Sequence, residues 1–464
     1  MRFKSTLILL LVFLGLGSYV YFSEYRGQEA RQKKEESKKK AFQIDDKNVT
    51  EINLTYQDHT INGVRKGEHQ WEITNPPGVE ADSEEWDRLA SNLAATEKDQ
   101  TVTSEKPELA QYGLDKPVSA VTAKMKDGKT IGVQYGIENP KKTFTYAKLT
   151  DSPEVFLSSS TYAKLFQKTL TDLRNKKVLG DFATDDVDSI QITQDKGNEL
   201  TLQKSGTDWV IKKPVETNAD PSEATTFLSS MNFAKAADFA DASIDAKAAG
   251  LEPPAIRITL HDAKAKADRT LLIGKTKETD KYYAKDAARA PIFVIDKELP
   301  EKVKRPLFDW RDKSVAKVDP EKTDEIEIVR GTEKLSFKKS GSDWKLADGR
   351  KLQWEKVSAL LNAIDFEKAK QIIDAPKGLS MYGLDKPKLE LTLRQSGKDS
   401  FGLKFGGASK DPDGKYIKTT VSPAVLVVSN DLYDKLDVKV DEMVEAPPPA
   451  PATTPAPPAT PEKK

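Results

Sequence analysis

The chain has 464 residues with 73 basic and 73 acidic side chains, so its formal net charge is zero and no basic field marks it for nucleic acid. At 37% hydrophobic and 31% charged it has the composition of soluble globular protein, with apolar residues for several modest cores. It contains no cysteine, which excludes disulfides, thiolate catalysis and cysteine-ligated zinc and is compatible with an oxidising compartment.

Arg2 and Lys4 precede an uncharged run of seventeen residues, 6–22, whose aromatic end suits a membrane interface. That length is the short limit for a spanning helix. The same grammar fits a signal peptide, for which Gly15-Leu16-Gly17 is a weak cleavage site. With no lipid-accepting cysteine, the expectation is an uncleaved signal anchor, a single transmembrane helix in the cytoplasmic (inner) membrane. Seven Lys and Arg residues from Arg26 to Lys40, against two before the run, argue for a cytoplasmic body. The signal-like start, the short leading tail and the missing cysteine argue the other way, and the expectation is a periplasmic body. Residues 23–43 read as a charged juxtamembrane spacer.

Beyond the spacer the sequence repeats. Tyr112-Gly113-Leu114-Asp115-Lys116-Pro117 recurs as Tyr382-Gly383-Leu384-Asp385-Lys386-Pro387, with Gly250-Leu251-Glu252-Pro253-Pro254 between them. The glycines stand 137 and 133 residues apart, and Trp71, Trp209 and Trp344 stand 138 and 135 apart. A period this long is a domain length. Three homologous domains are expected, at residues 44–178, 179–314 and 315–440, followed by a disordered Pro/Ala-rich tail, 441–464. Eight prolines from Pro447 onward make that tail a polyproline-type spacer or a docking peptide for a proline-reading partner, the spacer being the plainer reading.

Within the middle copy, residues 189–193, 200–203 and 209–211 alternate as three short strands. Asp220-Pro221-Ser222-Glu223 then opens a helix in capping-box fashion, and Ala224, Phe227, Leu228 and Met231 form one buried stripe. Trp86, Leu89, Ala90 and Leu93 repeat the stripe. The third copy places Trp354, Val357, Leu360, Leu361 and Ile364 on it without the cap. Four further strands follow the glycine motif, at 256–260, 271–273, 282–285 and 292–295, and a short amphipathic segment closes each copy. Hairpin-length connections make the expected fold class α+β, mainly antiparallel sheet with packed helices.

The glycine motif reads as a helix stop. Gly113, Gly250 and Gly383 take the left-handed position, Leu114, Leu251 and Leu384 supply the hydrophobic contact that follows it, and Pro117, Pro254 and Pro387 start the next strand. Tyr112, Asp115, Tyr382 and Asp385 complete the motif, with a turn-stabilising acid the commoner role and a ligand contact the rarer one. The candidate partner-binding residues are the Tyr-x-Lys pairs Tyr146 and Lys148, Tyr283 and Lys285, and Tyr416 and Lys418. Residues two apart on a strand share a face, so each pair presents an aromatic ring and a cation to an acidic partner or a sugar. The plainer alternative is a core-flanking tyrosine beside a lysine that reaches water. Trp71, Trp209 and Trp344 read as core anchors. His59, His69 and His261 are the only histidines and share no repeat position, no serine sits in a Gly-x-Ser-x-Gly elbow, and Asp411-Pro412-Asp413-Gly414 departs from calcium-loop spacing. No catalytic residue, metal site or cofactor is expected.

The repeated tryptophan, Tyr-Gly-Leu-Asp-Lys-Pro, Tyr-x-Lys, and the closing Leu173-Arg174-Asn175-Lys176 and Trp310-Arg311-Asp312-Lys313 give the chain a resemblance to the bacterial family catalogued as a domain of unknown function, number 4340. The resemblance covers residues 44–440, and the middle copy departs from it by lacking the motif's tyrosine and lysine. It implies a membrane-anchored cell-envelope protein associated with ABC-type transporter systems, including gliding-type ones. It carries over no catalytic residues. The expected function is a non-enzymatic extracytoplasmic accessory or scaffold, with an envelope-glycan or small-ligand binding module and an interdomain-pocket hydrolase as the competing readings.

Overall fold

The structure is a computed structural model describing residues 13–19, 21, 39–105, 107–194 and 197–445. Three sheets of nine strands follow one another with the same strand order. In the first, β1 (Val49–Tyr56), β2 (His59–Gly67), β3 (Gln70–Asn75) and β4 (Val79–Glu80) form one meander. After β5 (Gln100–Thr103), the strands β6 (Ser119–Met125), β7 (Thr130–Glu138), β8 (Phe144–Leu149) and β9 (Val155–Ser159) form another. β1 pairs with β6 and β5 closes the far edge on β9, so the order is β4-β3-β2-β1-β6-β7-β8-β9-β5, antiparallel throughout. The chain groups into two compact units. One comprises Met1–Asp181, Met231–Ala255 and Thr270–Lys297, the other Phe182–Ser230, Ile256–Arg269 and Glu298–Lys464, so the second sheet supplies strands to both.

Period-two patterning places the core. β1 buries Val49, Ile52 and Leu54, and β6 buries Val121, Ala123 and Met125. Helix Ser83–Ala94 links β4 to β5 at opposite edges, so it crosses this face and buries Trp86, Leu89, Ala90 and Leu93. Helices Pro221–Phe233 and Trp354–Phe366 follow the same plan. Asp82 Oδ1 accepts from the Glu85 N–H at 3.3 Å and Asp220 Oδ1 from the Ser222 N–H at 2.9 Å, while the third helix has no side-chain cap. Trp354 corrects the expected stripe: it is 57% exposed. It opens the helix, one turn before Val357 reaches the sheet, at a position where the other copies have Ser83 and Pro221.

The three cores are filled by different residues at corresponding places. A Cβ on Gly63 would lie 2.3 Å from the Trp86 ring, so the missing side chain on β2 makes room for the indole. Trp86 Nε1 donates to the Leu173 carbonyl at 3.1 Å. At the corresponding places the second copy has Leu202, Ala224 and Trp310, and the third has Phe337, Val357 and Met443, all buried. Large and small residues trade places around a constant space, as close packing requires.

Successive copies share their connecting segment. Arg174 bridges Ala81, closing the first copy, and two residues later the Lys176 carbonyl accepts from Ala236, opening the second. Arg311 with Ala219 and Lys313 with Ala369 repeat the device. The guanidinium of Arg174 lies 3.4 Å from the Phe239 ring centroid. Arg289 returns from the second copy to Glu80 Oε2 at 2.8 Å and to the Lys177 carbonyl. Arg311, 6% exposed, donates to Asp374 Oδ2 at 2.8 Å and Thr217 Oγ1 at 3.4 Å. In the third copy Val444 bridges Leu352 at the equivalent place, so the arginine stands at both of the junctions between copies and a valine takes its place in the third.

The anchor, spacer and tail expected from the sequence fall largely outside the described residues. Residues 13–19 are helical, and no helix among the described residues is long and apolar enough to cross a membrane.

Candidate functional site

The segment between β5 and β6 returns from the sheet edge over the face opposite the helix. In the second copy this second layer is a small apolar cluster of Ala249, Leu251, Tyr283 and Val294. The glycine motif shapes it. In the first copy the single 3-10 turn Leu109–Tyr112 ends at Gly113 with φ +63°. The Leu114 N–H donates to the Leu109 carbonyl at 3.0 Å and the Gly113 N–H to the Ala110 carbonyl at 3.1 Å, the paired bonds of a Schellman stop. Gly250 and Gly383 have φ +68° and +67° with the same pair of bonds. Leu114, Leu251 and Leu384 are buried, whereas Asp115, Lys116, Glu252, Pro253, Asp385 and Lys386 are exposed. Pro117, Pro254 and Pro387, half-buried, lead into the next strand.

The turn rests on a glycine of the strand beneath it. A Cβ on Gly136 would lie 2.1 Å from the Tyr112 carbonyl oxygen, on Gly274 2.2 Å from that of Ala249, and on Gly406 2.1 Å from that of Tyr382. Only a residue without Cβ permits this approach. Each strand also carries a register break here, between Tyr135 and Glu138, Ile273 and Thr276, and Phe405 and Ala408. Sequence reasoning passes over these three glycines, whose one signal is their own recurrence at nearly the repeat spacing.

Two motifs far apart in the sequence meet on this layer. Tyr112 of the turn and Tyr146 of β8 have ring centroids 5.0 Å apart at 53°, and Tyr382 and Tyr416 have centroids 5.0 Å apart at 66°. All four rings are half-buried. Such tilted pairs are worth about 0.5–1.5 kcal/mol beyond their buried area. In the second copy Ala249 replaces the turn tyrosine, and Tyr283 is only 9% exposed. The lysines turn to nearby backbone: Lys148 Nζ donates to the Leu149 carbonyl at 3.2 Å, Lys285 to Ala290 at 3.2 Å, and Lys418 to Thr419 at 3.1 Å and also to Ser422. Burial holds the Lys418 ammonium below its usual range. Each pair is therefore an aromatic surface beside a cation engaged by the chain. Exposed apolar residues adjoin it, Val118 and Ile137 in the first copy and Leu379 and Met381 in the third. Trp71, Trp209 and Trp344, at 6%, 5% and 4% exposed, sit in the cores.

The acidic groups nearest the histidines and the hairpin tips are locally paired. Asp87 accepts from Trp71 Nε1 at 2.8 Å and pairs with Arg65 and His69 at 2.8 Å each. Burial pushes its carboxyl up, but these partners outweigh burial and hold it below the usual carboxylate range. His261 pairs with Asp268 at 2.8 Å on an exposed hairpin, and His59 begins β2 at a hairpin tip. Asp411-Pro412-Asp413-Gly414 forms another tip, where Asn430 Nδ2 donates to Asp413 Oδ2 at 2.9 Å. Among the described residues no three His, Asp or Glu side chains converge as a metal site.

Three copies of one nine-stranded α+β domain, each with a glycine-stopped turn laid on a strand glycine, define a tandem-domain protein. The chain belongs to the family described as a domain of unknown function, DUF4340, which matches it three times, over residues 71–254, 209–375 and 344–447. Each match begins at the repeated tryptophan, and consecutive matches overlap over residues 209–254 and 344–375. No curated protein and no solved structure matches the chain.

Proposed function

We propose that the chain is a non-enzymatic, membrane-anchored scaffold of the bacterial cell envelope. Residues 6–22 hold it in the cytoplasmic membrane, and its domains serve outside as an accessory of an ABC-type transport or gliding-related complex. The observation that carries this reading is the junction. Each connecting segment closes one copy and opens the next within two residues, and arginines, Arg311 buried and Arg174 and Arg289 half-buried, hold it there, an arrangement suited to a scaffold of linked domains. Co-purification from solubilised membranes tests it. Transporter components are expected with the full chain, and recovery of none contradicts the reading.

The tyrosine pairs favour a second reading, an envelope-glycan or small-ligand module. Replacing Tyr146, Tyr283 and Tyr416 with alanine would then abolish binding to isolated envelope glycan. Unchanged binding by the folded variant removes this reading.

A further inference from the structure

The tyrosine pairs have an unusual combination of properties. Each joins two half-buried rings, tilted so that they do not close face to face. None of the four hydroxyls has a hydrogen-bond partner within the described residues. The neighbouring lysine donates to backbone carbonyls, so the surface offers aromatic faces and hydroxyl donors beside a cation already hydrogen-bonded to the chain. In the third copy Leu379 and Met381 are 42% and 68% exposed on the turn that carries Tyr382. In the second copy, where Ala249 replaces the turn tyrosine, Tyr283 is buried and the surface is lost.

An uncharged, carbonyl-rich, proline-rich strand complements such a surface. Proline fixes φ and removes the N–H, so a polyproline segment is extended, lacks internal hydrogen bonds and turns bare carbonyl oxygens outward. Aromatic-lined surfaces recognise such segments at low entropic cost. This chain carries one. Residues 446–461 contain eight prolines, the rest being alanine and threonine with no charge, and they follow directly on Glu445, whose N–H is held by the Lys351 carbonyl of the third copy. The nineteen residues beyond Glu445 span roughly 60 Å when extended. A domain of about 130 residues is roughly 35 Å across, so the tail reaches any face of the copy it leaves.

We infer that the Tyr382–Tyr416 surface is a polyproline docking site and that its occupant is the chain's own C-terminal tail, residues 446–461. This inference does not depend on the scaffold reading. Tethering places the tail at a millimolar effective concentration, so even a site of about 0.1 mM affinity is about 90% occupied.

The absence of cysteine makes the test clean. Thr454→Cys in the full-length chain takes a single nitroxide or fluorescent label, and the label's rotational mobility is read. The expected result is a predominantly slow label, freed when Tyr382 and Tyr416 are replaced by alanine and freed equally when Pro447, Pro448, Pro449, Pro451 and Pro455 are replaced by serine. The serine variant leaves every domain residue untouched, so it decides the matter even if the tyrosine variant misfolds. Excess free peptide of residues 446–461 should release the label. A label equally mobile in the native chain and the serine variant overturns the inference, as does a slow label that the serine changes leave slow. A label slow only at high protein concentration overturns attachment within one chain and assigns the site to the tail of a second copy.

Discussion

Gly63 and Trp86 touch across the first core as one unit, and neither is explained alone. The indole occupies the volume that a β2 side chain fills in the other copies, where Leu202 faces Ala224 and Phe337 faces Val357. Gly63→Leu, which imports the second copy's residue without its partner, should destabilise by about 1–3 kcal/mol through overpacking. Adding Trp86→Ala should recover most of that loss, a coupling visible in a double-mutant cycle by urea unfolding. Additive losses would mean that the two side chains do not share the space. The helix stop was legible because Gly113 and Leu114 signal locally, in adjacent letters. Gly136 was not, because its requirement comes from the Tyr112 carbonyl pressing on it from a different part of the chain.

At the scale of elements, the strands on either side of the glycine motif were readable from period-two patterning, and the observed strands Val187–Gln194 and Ile256–Asp262 contain the expected ones. The edge strands β4 and β5 and their counterparts were not. They are two to four residues long, too short for a period, and exist because the helix ends at one edge and re-enters at the other. The meeting of Tyr112 with Tyr146 was equally hidden, since it depends on the second layer folding back over β8. The junction arginines were visible as a recurring Arg174 and Arg311, but their task appears only when the next copy is in place. Arg311→Ala should lower stability by about 1–3 kcal/mol through lost charge-assisted bonds, with a broadened urea transition as the two copies unfold less cooperatively. Arg311→Lys should recover only part, because one ammonium cannot reach Asp374 and Thr217 in the same fork. An unchanged midpoint for Arg311→Ala would show that the junction holds without it.

For the whole molecule, composition and period together led to three tandem α+β domains, and three nine-stranded sheets of identical strand order are found. What the chain does outside its own fold depends on where those sheets lie. A periplasmic body brings envelope partners within reach of the domains, and a cytoplasmic one removes the basis of the extracytoplasmic scaffold. The decisive measurement is a pair of reporter fusions after Met443, one active only outside the cytoplasm and one only inside. The account predicts signal from the outside reporter and none from the inside reporter. Signal from the inside reporter alone would contradict it.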